Sequence, residues 1–416
     1  MAKVHDPVRH AALSLLRGVR EGVSLSDQTG RLAGLAPADR ARAGRLAAET
    51  LRHAGRADAV LAALMDRRPR PEVGEILRMA VVEMLQLDQA PHGVVNAAVA
   101  LVRGLGPRGR AAAGMANAVL RKAAATTGWD TLPPQRMPGW LRDPVVTAWG
   151  EDTARAIETA HQAGAPLDLT PRNAEAPGEP LPTGSLRLPA GAQVSALPGY
   201  DAGNWWVQDA AAALAVRALE PQPGEHILDL CAAPGGKTLQ LAAAGAEVTA
   251  LDISAPRMAR VQENLNRCGL TARLITADAL SFRPDSPPDA ILLDAPCSAT
   301  GTIRRHPDLP FLRDGSGIAA LTDLQAHMID HALTLLPPGG RLVYAVCSLL
   351  PAEGEDQIAA ALARHPDVIA DTPTPPGIDP AWLGPHGLRL RPDYWPDQGG
   401  MDGFFIARLR KPGQAH

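Results

Sequence analysis

The chain has 416 residues, 46% of them hydrophobic, with a net charge of −3 and four cysteines, so a multidomain protein with a sizeable core is expected. No run of about 18 apolar residues occurs, the first residues Met1-Ala-Lys-Val-His-Asp are polar, and no two cysteines form a CxxC pair. These features argue against a membrane span, a secretory leader, a zinc knuckle and a disulfide framework, and fit a reducing cytoplasm. The charge is uneven: residues 1–128 hold 19 Lys+Arg against 11 Asp+Glu, a net of +8, leaving 22 against 33, a net of −11. A basic first third suggests a polyanionic partner, or simply a solvated arginine-rich surface.

Residues 6–127 read as all-helical. Apolar residues recur at helical spacing at Val8, Ala12, Leu15, Leu16 and Val19, at Ala43, Leu46, Ala47, Thr50 and Leu51, and from Ile76 to Leu85. A helix start is expected at Pro91 and a last helix over Ala113–Ala124, with arginines between the apolar positions. Trp129 to Pro144 is rich in Pro and reads as a linker. One helix is expected over Val145–Ala163, followed by a small α+β segment dense in Pro and Gly. The division is therefore 1–128 (helical), 129–205 (connecting) and 206–416.

From Gln208 onward, strand and helix patterns alternate as in a doubly wound sheet. After a helix over Asp209–Leu219, strands are expected at His226–Leu230, Glu247–Leu251, Arg273–Thr276, Ala290–Leu293, Arg341–Val346 and Phe404–Leu409. The intervening helices are Lys237–Ala243, Ser254–Cys268 and Leu321–Leu336. Ligands of such sheets bind beyond the carboxyl ends of the strands, where the informative motifs fall.

Cys231-Ala232-Ala233-Pro234-Gly235-Gly236-Lys237 closes the first of these strands and opens a helix, whose free N–H groups suit an anionic or polar ligand. A phosphate-binding P-loop would need Gly where Cys231 stands. Lys237 is one of only four lysines, with Lys3, Lys122 and Lys411. Asp229, Asp252, Asp278 and Asp294 end or closely follow the first four strands. Asp252 lies 17 residues beyond Gly235, near the spacing at which an acid binds a ribose hydroxyl. An acidic rim suits S-adenosylmethionine, with its ribose and positive sulfonium, better than a dinucleotide pyrophosphate.

Two thiols follow strands in this region: Cys297 in Asp294-Ala-Pro-Cys-Ser298 and Cys347 in Tyr344-Ala-Val-Cys-Ser348. Free cysteines are often inert and buried, but a pair at one crevice suits covalent catalysis. A thiolate adding to carbon 6 of cytosine makes carbon 5 nucleophilic toward a methyl donor. Asp294 is placed to assist at ring N3, and the second thiol could help expel the first. The chemistry alone leaves open which cysteine attacks.

The motifs Cys231–Lys237, Asp294–Gly301 and Tyr344–Ser348 resemble those of the RNA cytosine-5 methyltransferases. The run Ile303-Arg-Arg-His-Pro-Asp308 and Asp402-Gly-Phe-Phe-Ile406 resemble the small-subunit ribosomal RNA branch of that family, and the helical region is similar to its NusB-like RNA-binding domain. The likeness extends over nearly the whole chain and is weakest at 145–198. It implies an α/β methyltransferase domain with S-adenosylmethionine held by Cys231–Lys237, Asp252, Asp278 and Asp294. It further implies Cys347 as nucleophile and Cys297 as the release residue. Arg304, Arg305 and His306 are implied RNA contacts, and 16S ribosomal RNA, naked or in an early assembly intermediate, the substrate of a monomeric enzyme. Leu169-Thr-Pro-Arg-Asn173 departs from the family pattern and is given no contact. Trp205 and Trp206 could stack on a base or be buried. Two competitors are a tRNA or DNA cytosine-5 methyltransferase and a non-catalytic RNA-binding factor.

Overall fold

A computed structural model describes residues 6–172 and 176–413; Lys3 and Asn173 lie outside them. The chain forms two compact units. One comprises the residues up to Gly139 with Ala154–Ala163 and Ile303–Asp314, and the other Trp140–Thr153, Gly164–Thr302 and the residues from Gly315 on.

The first unit is helical: α1 (Pro7–Arg20), α2 (Pro37–Arg52), α3 (Ala54–Leu64), α4 (Pro71–Leu85), α5 (Pro91–Gly104) and α6 (Pro107–Ala123). Proline opens every one of these helices except α3. Its fixed φ is preset for the first helical position, where its missing N–H costs nothing. Asp6 caps α1 by accepting the Arg9 amide at 3.1 Å. Helix α4 is buried on nearly every side (Val73, Ile76, Leu77, Met79 to Met84), and packs with Leu15, Leu16, Val102 and Leu120. Glu83, polar in that buried run, is neutralised by Arg9, whose Nε donates to it at 2.8 Å.

Helix α7 (Gly139–Ala163) starts inside the stretch expected to be a linker. It carries Pro144 and is interrupted at Gly150, whose φ of 85° is not helical; its residues pass from one unit to the other between Thr153 and Ala154. The interruption, rather than the prolines before it, is where the helical path breaks.

In the second unit, β1 (Leu167–Pro171), β2 (Glu179–Pro180), β3 (Leu186–Leu188) and β4 (Trp205–Val207) make a small antiparallel sheet in the order β2-β3-β1-β4. Within it a buried ion pair joins β3 to β1, Arg187 Nε donating to Asp168 at 2.7 Å, and Arg187 Nη1 ties the sheet to the larger body by donating to the carbonyls of Gln398 and Gly400. Trp205 and Trp206 are buried here, so they offer no open stacking face.

The larger sheet follows α8 (Ala210–Leu219). Its parallel core is β5 (His226–Leu230), β6 (Glu247–Asp252), β7 (Arg273–Thr276), β8 (Ala290–Asp294) and β9 (Arg341–Val346). Helices α9 (Gly236–Ala243), α10 (Ala255–Cys268), α12 (Ile318–Leu335) and α13 (Glu355–Arg364) connect or flank these strands, with the short α11 (Leu309–Leu312) in the first unit. Antiparallel strands β10 (Ile369–Asp371), β11 (Leu383–Gly384), β12 (Gly387–Leu390) and β13 (Phe404–Arg410) extend the β9 edge. The order is β11-β12-β13-β9-β8-β5-β6-β7, with β10 on β13. The strand order reverses between β5 and β8, so their carboxyl ends open the ligand crevice of a doubly wound sheet. Both faces of the sheet are apolar and covered. Among the described residues, no helix is long and apolar enough to cross a membrane.

Candidate active site

The turn after β5 begins with Cys231 in the left-handed region, at φ 62°, and passes Gly235 at φ 101° into α9. A side chain on Gly235 would have to share space with Val261 at 3.0 Å as well as adopt that φ. Asp229 is fully buried beneath the turn. Thr238 Oγ1 donates to its Oδ2 at 2.6 Å, while Oδ1 has no hydrogen-bond partner among the described residues. Burial, reinforced by Asp294 and Asp252 against the Thr238 bond and Lys237, pushes the Asp229 carboxyl up to about 7. The same surroundings push the Cys231 thiol up to about 12, burial leading and the three carboxylates adding, so Cys231 is no nucleophile at neutral pH.

Asp252 ends β6 at the carboxyl edge of the sheet. Its oxygens accept the Ala233 amide at 3.2 Å and the Ser254 amide at 2.9 Å. The next residue, Ile253, exposes 73% of its surface, an apolar face beside a buried acid. Asp278 stands two residues past β7, exposed, and accepts the Leu280 amide of its own turn. Asp294 ends β8 half-buried, and Lys237 Nζ donates to it at 2.6 Å. Burial alone would lower the Lys237 ammonium, but Asp294, then Cys347 and Asp229, outweigh it and hold the ammonium above its ordinary range.

The two thiols converge. Cys297 Sγ and Cys347 Sγ are 3.5 Å apart, both half-buried, at the ends of the neighbouring strands β8 and β9. The hydrogen bond to Cys347, then burial and the nearby Glu353 charge, hold the Cys297 thiol well above its ordinary range.

Beneath the thiols lies a polar network that periodicity does not reveal. Glu353, 0% exposed, accepts the Ser298 amide at 2.8 Å and hydroxyls from both Ser298 and Ser348 at 2.5 Å. Gln325 donates to it at 3.1 Å and to the Pro296 carbonyl at 2.8 Å. Arg389 donates to the Ser348 carbonyl while pairing with Glu355 at 2.9 Å. Gly301 and Gly403 make their backbones cross closely: a Cβ on Gly301 would sit 1.9 Å from the Gly403 carbonyl oxygen. That crossing accounts for the glycines in Ser-Ala-Thr-Gly301 and Asp-Gly403.

The structure brings Cys231 to Lys237, Asp252, Asp294, Cys297 and Cys347 to the carboxyl ends of adjacent strands. One expectation is overturned. Arg304 was expected to contact RNA, yet it is 0% exposed within the helical unit. Its carbonyl accepts from Arg52 at 2.7 Å, and its charge, after burial and with Arg52, holds His161 down to about 3. A guanidinium enclosed there cannot reach a phosphate. Arg305 is half-buried and His306 exposed, so both retain surface. Asp308, in the same run, accepts the Leu25 amide at 2.8 Å. Ile253 and Glu353 were not anticipated; Ile253 could have been found as an isolated apolar residue directly after the ribose-spaced acid.

Residues 216–410 match the family described as 16S rRNA methyltransferase RsmB/F, and residues 6–125 match the NusB family. The chain is 36% identical to ribosomal RNA small subunit methyltransferase B of Xanthomonas campestris pv. campestris, over 97% of both chains. It belongs to the ribosomal RNA small subunit methyltransferase B family. The enzyme of that name from Salmonella typhi is 42% identical over 298 residues, 66% of each chain. The chain thus spans about two thirds of that relative's length in the match. The solved structure of PH0851 shares the fold, with a TM-score of 0.72 at 23% identity over 98% of this chain and 100% of that one. A methyltransferase homolog protein from Pyrococcus horikoshii is 28% identical, with a TM-score of 0.55, over 65% of this chain and 93% of that one. S-adenosylmethionine is the methyl donor of such methyltransferases. The site fits it: the unpartnered Oδ1 of Asp229, the tight Gly235 turn, the Asp252 carboxylate and the exposed Ile253 are a polar and apolar set suited to an aminoacyl group, a ribose and a flat ring.

Proposed function

We propose that the protein methylates carbon 5 of a cytosine in 16S ribosomal RNA through a covalent Cys347–pyrimidine adduct. The observation that carries this reading is the 3.5 Å thiol pair beside the Lys237–Asp294 ion pair. S-adenosylmethionine supplies an electrophilic methyl group, with Asp252, Ile253 and the Cys231–Lys237 turn as its binding residues and Asp278 on the outer rim. The Cys347 thiolate forms a bond to carbon 6, and the electron pair of the 5,6 double bond moves toward carbon 5. Asp294, paired with Lys237, holds the base through a proton shared with ring N3, which eases addition at carbon 6. Carbon 5 takes the methyl group, its bond to sulfur breaking to leave S-adenosylhomocysteine, and then gives up its proton to solvent. The electrons of that C–H bond restore the double bond and expel the Cys347 sulfur.

Cys297, kept as a thiol, presents its S–H to the departing sulfur and so favours release. The target base leaves its stack to be reached from both faces. The basic helical region, 1–128, supplies salt-dependent affinity, joined through the connecting region 129–205 to the catalytic region 206–416. Arg305 and His306 contribute to RNA binding; the substrate is naked rRNA or an early assembly intermediate, and the enzyme acts as a cytoplasmic monomer. Mapping 5-methylcytosine in 16S rRNA with and without the protein tests this directly. One cytosine should lose its methyl group in the deletion strain, and an unchanged 16S pattern refutes the assignment.

A further inference from the structure

Glu353 is a charged side chain in a place that normally excludes charge. Burying a carboxylate is costly unless donors replace its water. Here the donors come from three separated parts of the chain. Oε1 accepts the Ser298 amide and Gln325 Nε2, and Oε2 accepts the hydroxyls of Ser298 and Ser348. The nearby guanidinium of Arg389 is directed at Glu355 and at the Ser348 carbonyl. Solvation of Glu353 therefore falls largely on residues that adjoin the two cysteines.

Ser298 directly follows Cys297, and Ser348 directly follows Cys347. Their hydroxyls are 3.2 Å apart, and Thr300 Oγ1 lies 3.1 Å from one and 3.3 Å from the other. Thr300 also accepts the Leu349 amide at 2.9 Å, and the Tyr344 hydroxyl donates to the Glu353 carbonyl at 2.6 Å. A shift of either cysteine loop must break bonds on the one carboxylate that holds the other.

We propose that Glu353 is a positioning residue that fixes the spacing of Cys297 and Cys347 and thereby governs the thiol-dependent steps of methyl transfer. The inference rests on the cysteine roles given above. It assigns Glu353 no contact with RNA or methyl donor. A misplacement of about 1 Å in such a pair can cost roughly a hundredfold in rate.

The test is Glu353→Gln, which keeps shape and one acceptor but loses the charge. Full-length protein is assayed for melting temperature, S-adenosylmethionine affinity by calorimetry, and single-turnover methyl transfer to 16S rRNA transcript. Expected is cofactor affinity within about twofold of wild type with a fall in kcat of roughly a hundredfold. Ser298→Ala and Ser348→Ala, each removing one hydroxyl, should lower kcat roughly tenfold with the same split, and they decide the matter if Glu353→Gln does not fold. Wild-type kcat in the variants that fold overturns the proposal. So does a parallel loss of cofactor affinity, melting temperature and kcat, which marks a mere structural anchor. Cys297→Ala, run beside them, separates the two readings. Without a trapped adduct there or in Cys347→Ala, the covalent reading falls while the kcat split still judges Glu353. With an adduct there and wild-type kcat in Glu353→Gln, only the Glu353 role falls.

Discussion

Lys237 Nζ and Asp294 Oδ2 lie 2.6 Å apart, joining the first turn of the glycine-rich helix to the end of the strand that leads to Cys297. One ion pair thus joins the turn proposed to hold the methyl donor to the strand end proposed to face the base. Lys237→Met removes the cation paired with Asp294, and Asp294→Asn removes the carboxylate proposed to face the base. Each should lower kcat by about a hundredfold or more. Single-turnover kinetics of the two variants, read beside their cofactor affinities, check this.

The cysteines should separate by what accumulates. Cys347→Ala is expected to abolish both methyl transfer and any covalent RNA complex. Cys297→Ala should leave a protein–RNA adduct that survives a denaturing gel, because the sulfur that departs has lost its S–H partner. The reverse pattern exchanges the two roles.

Cofactor affinity offers a simpler comparison. Asp252→Ala removes both a ligand group and the acceptor for the Ala233 and Ser254 amides, so affinity should fall by more than about tenfold. Ile253→Ser changes only an exposed face and should weaken binding a few-fold with an unchanged melting temperature. Calorimetric titration with S-adenosylhomocysteine reads both.

Asp229 carries a pH signature. Its folded carboxyl titrates at about 7, against 3.8 when unfolded. The folded state therefore holds the proton more tightly, and the stability this gives is full below about pH 4 and is lost as pH rises toward 7. Asp229→Asn removes that loss. Its melting temperature relative to wild type should climb between pH 4 and pH 7 and then level off. A difference that is flat with pH contradicts the buried-carboxyl account.

Arg304 and Arg305, adjacent in sequence, should behave as different residues. Arg304→Ala is expected to destabilise the protein by on the order of 3 kcal/mol in chemical denaturation, as removal of an enclosed charge does. Arg305→Ala should leave stability near wild type and reduce the salt slope of RNA binding by about one.

Much of the catalytic sheet is legible in the sequence. The edges of β5 and β9 fall where the apolar runs and turn residues put them, because buried parallel strands are short apolar runs with abrupt ends. The acids and thiols at strand ends were readable for the same reason. Glu353 was not, since nothing local distinguishes it from a solvated loop acid; its burial depends on Ser298, Gln325 and Ser348 arriving together. Arg304 misled because a motif specifies residues but not which of them face water. The helix beginning at Gly139 was hidden by Pro144, whose effect depends on where within the helix it sits. Strands β10 to β12 are short and at the sheet edge, where sequence periodicity has little length to register.

The segment Ile303–Asp314 belongs to the helical unit although it follows the Cys297 loop in the chain. During synthesis, the residues up to Gly139 emerge well before it. At roughly 5–20 residues per second the wait is on the order of 10–35 s. Through that interval the Leu25 amide lacks Asp308 and Arg52 lacks the Arg304 carbonyl, so the nascent helical unit matures only after most of the parallel strands have been made.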